Sequence, residues 1–387
     1  MRIKGILLNC LALCCGIAAY GQRDAGYDKV VVMQTRIDAR NLGYPPIDII
    51  PDGESGITSL AVAPNGSLYG ATSGTHSHLF VMMPRQGYVR PLGVIPDAKT
   101  EVNALAISAS GDVYIGASPS GHIFEYSPPA DDKYGQIEIA ATLPVKDLGQ
   151  PVAGEMISTL ICDTEANTLY GLTAPNAHFF SYSIATGKYA DFGVVAQQIP
   201  IGERFERNKM MSKMLVLDQQ GEVFASGENG ALFRFDPKGQ KLDKLPIQAP
   251  AVPGREPWTR VDTFLLDPSG IIYGGTSDGY LFRLDPAKLT VTNLGKPLNQ
   301  YGIDGLVRAP GGRLYGVGGD KDEMARLFSY DPSTSAYDVL GFVDVNRRPY
   351  YTWQAYVIGA MAVDADGTIF IGENERISKL YLFYPIQ

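Results

Sequence analysis

The stretch Ile272-Tyr273-Gly274-Gly275-Thr276-Ser277-Asp278-Gly279-Tyr280-Leu281-Phe282-Arg283-Leu284-Asp285-Pro286 decides the architecture of this 387-residue chain. An aliphatic–aromatic pair leads into glycines, a short turn, a second apolar pair and an Asp-Pro stop. That order reads as two strands joined by a tight hairpin. Just upstream, Pro268-Ser269-Gly270 supplies the turn that feeds the first of them. The same reading returns at Leu68-Tyr69 with Leu79-Phe80, Val113-Tyr114 with Ile123-Phe124, and Leu169-Tyr170 with Phe179-Phe180. It recurs again at Val223-Phe224 with Leu232-Phe233, Leu314-Tyr315 with Leu327-Phe328, and Ile369-Phe370 with Leu380-Tyr381.

Seven copies at intervals of 44 to 56 residues have the spacing of propeller blades, each a four-stranded sheet. The expected fold class is therefore all-β, a seven-bladed β-propeller. An open pair of β-sandwich sheets leaves seven similar repeats unexplained. Turns at Pro64-Asn65-Gly66, Ser110-Gly111, Pro310-Gly311-Gly312 and Asp366-Gly367 lie between the first and second strands. Fourth strands end in Leu92-Gly93, Phe192-Gly193, Leu294-Gly295 and Leu340-Gly341. After Leu380 to Tyr384 the sequence leaves no room for a fourth strand in blade seven. A surplus apolar strand at Val30 to Ile37, followed by Arg40-Asn41-Leu42-Gly43, is expected to close the ring and remove its open edges.

The first residues read as an address. Arg2 and Lys4 precede an apolar run from Gly5 to Ile17, and Ala19-Tyr20-Gly21 offers a signal-peptidase site. The expected organisation is a signal peptide over 1–21 and one propeller domain over 22–387. Leu13-Cys14 lacks the small residue that precedes a lipidated cysteine. The expected location is secreted, in the periplasm or at the cell surface. No other stretch is long and apolar enough to be read as a membrane span. Cys10, Cys14 and Cys15 leave with the signal, so Cys162 is read as a lone structural cysteine. A net charge of -8 argues against duplex nucleic acid as a partner. The chain is expected to act as a monomer.

Calling the strands of a blade A to D from the axis outward, the B–C and D–A connections share one face. The D–A connections there are chemically loaded. They contain Arg204 and Arg207, then Arg255, Trp258 and Arg260, then Arg348, Tyr350 and Trp353, including both tryptophans of the chain. The four histidines, His76, His78, His122 and His178, all fall at B–C hairpins of blades one to three. His78, His122 and His178 directly precede the strand-C marker. The same register holds Ala231, Tyr280, Arg326 and Lys379 in blades four to seven. One ring position thus carries imidazoles on one sector and Tyr, Arg and Lys on the other.

No resident cofactor is expected. His76 and His78 alternate on a strand as a ligand pair would, which keeps a divalent metal open as a minority reading. Equivalent positions on neighbouring blades are, however, about 10 Å apart. The acids Glu155, Glu203, Glu206 and Glu256 show no spacing that singles out a glycosidase pair. Elimination from a uronic acid asks for different groups: a cation on the sugar carboxylate, a base for the C5 proton and an acid for the departing O4. On that reading His78, His122, His178 and Tyr280 are the catalytic candidates. His76, Arg204, Arg207, Arg255, Arg260, Arg326, Arg348, Tyr350, Trp258 and Trp353 would bind an acidic glycan.

With its L-Y-G and L-F-x-Y-D-P blades and its His–Arg–Tyr face, the chain resembles the propeller L-rhamnose-α-1,4-D-glucuronate lyases and the related α-L-rhamnosidase-like propellers. The resemblance spans the mature chain through a blade motif that marks fold more than activity. It implies a lyase site on one face and removal of rhamnose from arabinogalactan-type glycans. Propeller ulvan lyases, also built on His, Tyr and Arg, are a neighbouring comparison. Some members are thought to use a single histidine on the opposite face for rhamnosidase chemistry. Here every histidine lies at a B–C hairpin, so that second activity is not expected. Repeated Trp-Asp endings, Asp-box series and a Cys-x-x-Cys-His haem site are all missing from the sequence. A non-catalytic glycan-binding propeller and a protein-interaction scaffold are the alternatives.

Overall fold

The computed structural model describes residues 33–36, 50–51, 53–83, 88–99, 102, 104–129, 142–195, 212–299, 301–347, 351–375 and 377–385. The described residues form an all-β ring of seven four-stranded sheets, with two short 3-10 turns at Glu228–Gly230 and Glu256–Trp258. Strand β1 is Met33–Arg36. Blade 1 is β2 Gly56–Val62, β3 Leu68–Ser73, β4 His78–Met83 and β5 Tyr88–Val94. Blade 2 is β6 Ala104–Ile107, β7 Val113–Gly116, β8 Ile123–Tyr126 and β9 Lys146–Asp147. Blade 3 is β10 Met156–Asp163, β11 Thr168–Ala174, β12 His178–Ser183 and β13 Lys188–Val194. Blade 4 is β14 Val216–Leu217, β15 Val223–Ser226, β16 Ala231–Asp236 and β17 Lys241–Gln248.

Blade 5 is β18 Val261–Leu266, β19 Ile272–Thr276, β20 Leu281–Asp285 and β21 Thr290–Gly295. Blade 6 is β22 Gly305–Arg308, β23 Leu314–Asp320, β24 Glu323–Asp331 and β25 Ala336–Phe342. A separate hairpin, β26 Asp344–Arg347 with β27 Tyr351–Gln354, follows it. Blade 7 is β28 Ile358–Val363, β29 Ile369–Glu373 and β30 Lys379–Phe383. Strand β1 completes it, antiparallel to β30 from Met33 opposite Leu382 to Arg36 opposite Lys379. The ring therefore closes as the surplus N-terminal strand predicted. The 1–21 signal segment and Arg40-Asn41-Leu42-Gly43 lie outside the described residues.

The repeated pairs have a packing reason. Successive side chains of a strand point to opposite faces. In strand B the aliphatic residue faces the preceding blade and the aromatic faces the next. Leu68 packs with blade 7 and Tyr69 with blade 2, and Ile272 and Tyr273 split in the same way between blades 4 and 6. In strand C the order reverses, with Phe80 and Phe282 turned to the preceding blade. The buried side chains thus sort into seven clusters, one for each blade-to-blade seam.

The glycine of the motif gives the strand-C ring its place. Gly70, Gly171, Gly274 and Gly316 each lie opposite Phe80, Phe180, Phe282 and Phe328 on the adjacent strand. A Cβ on any of them would come within 2.1–2.4 Å of the ring's Cζ atom. The ring thus lies flat where a side chain would otherwise stand.

Candidate functional site

The B–C and D–A connections converge on one face, and the B–C hairpins of blades 1, 3, 5 and 7 are each fastened there by a side chain. Thr72 Oγ1 accepts from the His78 backbone N–H at 2.9 Å, and Thr173 Oγ1 from that of His178 at 3.1 Å. Thr276 Oγ1 does the same for Tyr280, and Glu373 Oε2 for Lys379, both at 3.1 Å. This fastening holds the ring register picked out in the sequence. Arg326 differs, because β24 begins three residues earlier and places it inside the strand, its guanidinium 5.0 Å from the Phe342 ring centroid.

Every imidazole is engaged by a carboxylate. Glu54 bridges two of them, with His76 Nδ1 at 2.8 Å from Oε1 and His78 Nε2 at 3.0 Å from Oε2. Burial pushes the Glu54 carboxyl up, but hydrogen bonds from His78 and His76 outweigh it and hold the group below its ordinary value. His78 is buried, whereas His76 is half exposed.

His122 Nδ1 lies 2.9 Å from both oxygens of Asp147, and its ring stacks on Phe124. His178 Nδ1 lies 2.9 Å from Asp191 Oδ2. Burial pushes Asp147 up, and hydrogen bonds from His122 and the Gly149 N–H bring it below its usual value. A carboxylate can only accept, so in the neutral rings Nδ1 carries the proton and Nε2 keeps its lone pair. That is the tautomer of a base held in place by an acid partner.

These carboxylate partners were missed in the sequence, although a signal was there. Asp147 and Asp191 stand two residues before Gly149 and Gly193, and each accepts that glycine's N–H, at 2.8 and 2.9 Å. An Asp-x-Gly at the end of strand D, in a blade whose strand C is led by histidine, marks the pair. Asn293 with Gly295 fills the same place in blade 5, where there is no histidine.

Blade 5 and the segment after it carry a cation–aromatic ladder. Arg255 Cζ lies 5.1 Å from the Tyr301 ring centroid, and Lys296 Nζ lies 5.8 Å from Tyr301 and 5.6 Å from Tyr280. Tyr301 is exposed, and so is Trp258. Fully buried Asp278 organises the loop beneath. It accepts from Thr259 Oγ1 at 2.7 Å and from the Val252 N–H, and pairs with Arg255 Nε at 3.2 Å. Asp278, Lys296 and Tyr301 carried no motif and were also missed.

The axis encloses a cavity of about 350 Å³ lined by the A strands of six blades and, in blade 4, by Lys213, Met214 and Leu215 just before β14. At the loop-bearing end stand Thr58, Thr159, Lys213, Asp262, Thr263 and Asp304; deeper lie Leu60, Leu105, Leu160, Leu215 and Met361. Arg260 does not line the cavity but forms an ion pair with buried Asp262. Lys213 Nζ is 3.7 Å from Asp304 Oδ1, and burial pushes the Asp304 carboxyl up to about 6. Cys162 lines the far end, its thiol raised to about 11 by burial, a protonated and unreactive state at neutral pH.

Among the predicted site residues, Tyr280 and Arg255 thus meet through the ladder, and His76 and His78 meet through Glu54. His122 and His178 are held by strand D of their own blades, and no histidine lines the axial cavity. Among the described residues no group of three or more His, Cys, Asp or Glu side chains is gathered as a metal ion would require. Arg204, Arg207, Arg348, Tyr350 and the Trp353 side chain lie outside the described residues. The backbone of Trp353 belongs to hairpin β26–β27, so this D–A connection contains strands where a loop was expected. Among the described residues no helix is long and apolar enough to cross a membrane.

Compared with protein-family profiles and with curated proteins, the chain matches none. Solved structures do resemble it. One is described as the extracellular domain of a hybrid two-component system from B. thetaiotaomicron, with TM-score 0.60 and 15% identity, covering 92% of this chain and 40% of that one. A streptogramin B lyase gives TM-score 0.63 at 11% identity, covering 90% of this chain and 97% of that one. A fungal alcohol oxidase in complex with copper gives 0.60 at 13%, covering 87% and 75%. At such identities the likeness is one of fold, and the fold is the seven-bladed β-propeller.

Proposed function

We propose that the protein acts outside the cytoplasm on a uronate-bearing glycan, cleaving it by β-elimination at the face that bears the B–C and D–A connections. The observation that carries the reading is the ladder of Arg255, Tyr301, Lys296 and Tyr280, in which the exposed Tyr301 ring and the partly exposed Tyr280 ring alternate with cations. Sugar rings stack on aromatic faces, and a guanidinium or ammonium beside them meets the uronate carboxylate. The ladder sits on the sector opposite the histidine pairs, so a glycan chain lying over the face would touch both.

His122 and His178 supply the base. Each presents Nε2 while Nδ1–H is held by an aspartate. The base takes the C5 proton and the C4–O4 bond breaks. A C4–C5 double bond forms, and O4 departs with a proton returned by that imidazole or supplied by water. With rhamnose on O4, rhamnose leaves as the free sugar. The basic start and apolar run of the N-terminal sequence support a secreted location, and so does the likeness to an extracellular domain.

Incubation with rhamnose-capped arabinogalactan tests the reading. Rhamnose release accompanied by new ultraviolet absorbance is expected, and both signals should fall in His122→Ala and His178→Ala. Rhamnose release without absorbance means hydrolysis and overturns the elimination. A second reading, a non-catalytic glycan-binding propeller, is favoured by the burial of His78 against Glu54, which leaves that imidazole to hold structure. Glycan binding with no product, unchanged by either substitution, would establish it.

A further inference from the structure

We propose that the loop-side mouth of the axial cavity binds a small monocarboxylate with an apolar tail, its headgroup at Lys213 and its tail running down the channel, with uptake of one proton by Asp304. The site goes beyond the glycan reading, since none of the histidines and no member of the ladder lines it.

Three observations carry it. The cavity is graded, with hydroxyls and charges at the mouth and Leu60, Leu105, Leu160, Leu215 and Met361 below, which suits an amphipathic ligand. Its size admits a short acid and not a folded chain. Lys213 Nζ stands at the mouth with its side chain half exposed, 3.7 Å from Asp304 Oδ1, where an incoming anion can reach it.

The charges decide the ligand's sign. The groups facing Asp304 are Lys213 from blade 4, Arg260 and Asp262 from blade 5, and the Gly319 N–H of its own blade at 3.3 Å. With both acids ionised the four side chains sum to zero. Burial already disfavours the Asp304 anion, and Lys213 holds it only at 3.7 Å with its own side chain half exposed. Once Asp304 takes a proton, the mouth carries one net positive charge and Lys213 has no anion opposite. A monocarboxylate matches that charge, whereas a phosphate dianion exceeds it. An incoming anion therefore raises the proton affinity of Asp304, and proton and ligand bind together.

Calorimetric titration of the protein with octanoate, in two buffers of different ionisation enthalpy, tests this. We expect affinity to be on the order of a hundredfold higher at about pH 5.5 than at about pH 8, with close to one proton taken up per ligand at the higher pH. Lys213→Met and Lys213→Gln should each weaken binding about tenfold with unchanged melting temperature. Asp304→Asn should keep the tight binding at both pH values and abolish the proton uptake. Lack of octanoate binding, equal affinity for 1-octanol, pH-independent binding by the unmodified protein, or Lys213 variants that bind normally would each overturn the proposal. Glycan cleavage is read separately and is untouched by any of these outcomes.

Discussion

Replacing Gly274 by alanine tests the packing logic of the blades. The new Cβ would stand 2.3 Å from Phe282 Cζ, in a ring that is fully buried at the seam between blades 4 and 5. Ordinary carbon contacts lie at about 3.5–4.0 Å, so the ring must move by more than an ångström or the strands must part. Overpacking of this kind costs about 1–3 kcal/mol, and the lost glycine freedom of the unfolded chain returns about 0.4–1 kcal/mol. The net expectation is a loss of about 1–2 kcal/mol, read as a lower urea midpoint with an unchanged slope.

Phe282→Leu alone leaves a void and also destabilises. Combined with Gly274→Ala it should recover about 1 kcal/mol or more relative to additivity, because the methyl fills the space that the ring vacates. Gly311→Ala is the control: its Cβ would meet nothing within 4 Å, and its φ is not left-handed. Should Gly274→Ala match the unmodified protein, or the two substitutions simply add, the glycine does not serve the ring and the repeat needs another explanation.

Further outcomes are expected. Glu54 is held below its ordinary value in the folded state. The stability it contributes is therefore present above its unfolded value and lost as pH falls through the folded one, so Glu54→Gln should flatten the acid limb of a melting-temperature profile. Asp304 has the opposite sign. Its folded value, about 6, lies above the unfolded 3.8, so stability falls as pH rises between the two. Asp304→Asn should remove that slope, on the order of 3 kcal/mol across the window. Asp278→Ala leaves Arg255, Thr259 and the Val252 N–H without their shared acceptor. It should cost about 2 kcal/mol and weaken glycan retention on an affinity column. Asp147→Asn should lower kcat and shift its pH profile with little change in KM, because it orients the His122 base and touches no substrate.

The architecture was legible because every seam uses the same alternation. Leu68 and Tyr69, or Ile272 and Tyr273, face opposite neighbours in each blade, and repetition turns a weak strand signal into a count of blades. Ring closure was legible for the same reason, since a missing strand at Tyr384 and a spare one at Val30 to Ile37 can be counted.

The site was legible only in part. The hairpin register of His78, His122, His178 and Tyr280 follows from the repeat, but the partners of those side chains come from elsewhere. Glu54 reaches His78 from the approach to strand A, and Asp191 reaches His178 from strand D, across a bulge in the pairing between Phe180 and His178. The mouth of the axis was invisible, because Lys213, Asp262 and Asp304 lie in three different blades with no shared motif. Only closure of the ring brings them together. Hairpin β26–β27 was not legible, since Arg347-Arg348-Pro349-Tyr350 looks in the sequence like part of a plain connection.

Cleavage of a rhamnose-capped glucuronate oligosaccharide in water enriched in heavy oxygen most directly separates the chemistry proposed here from its rivals. Elimination breaks C4–O4 without adding water, so both the freed rhamnose and the unsaturated uronate end should form with no solvent oxygen incorporated in the bond-breaking step. Heavy oxygen retained at that bond in freshly quenched product, or an oligosaccharide left intact while bound, would contradict the account.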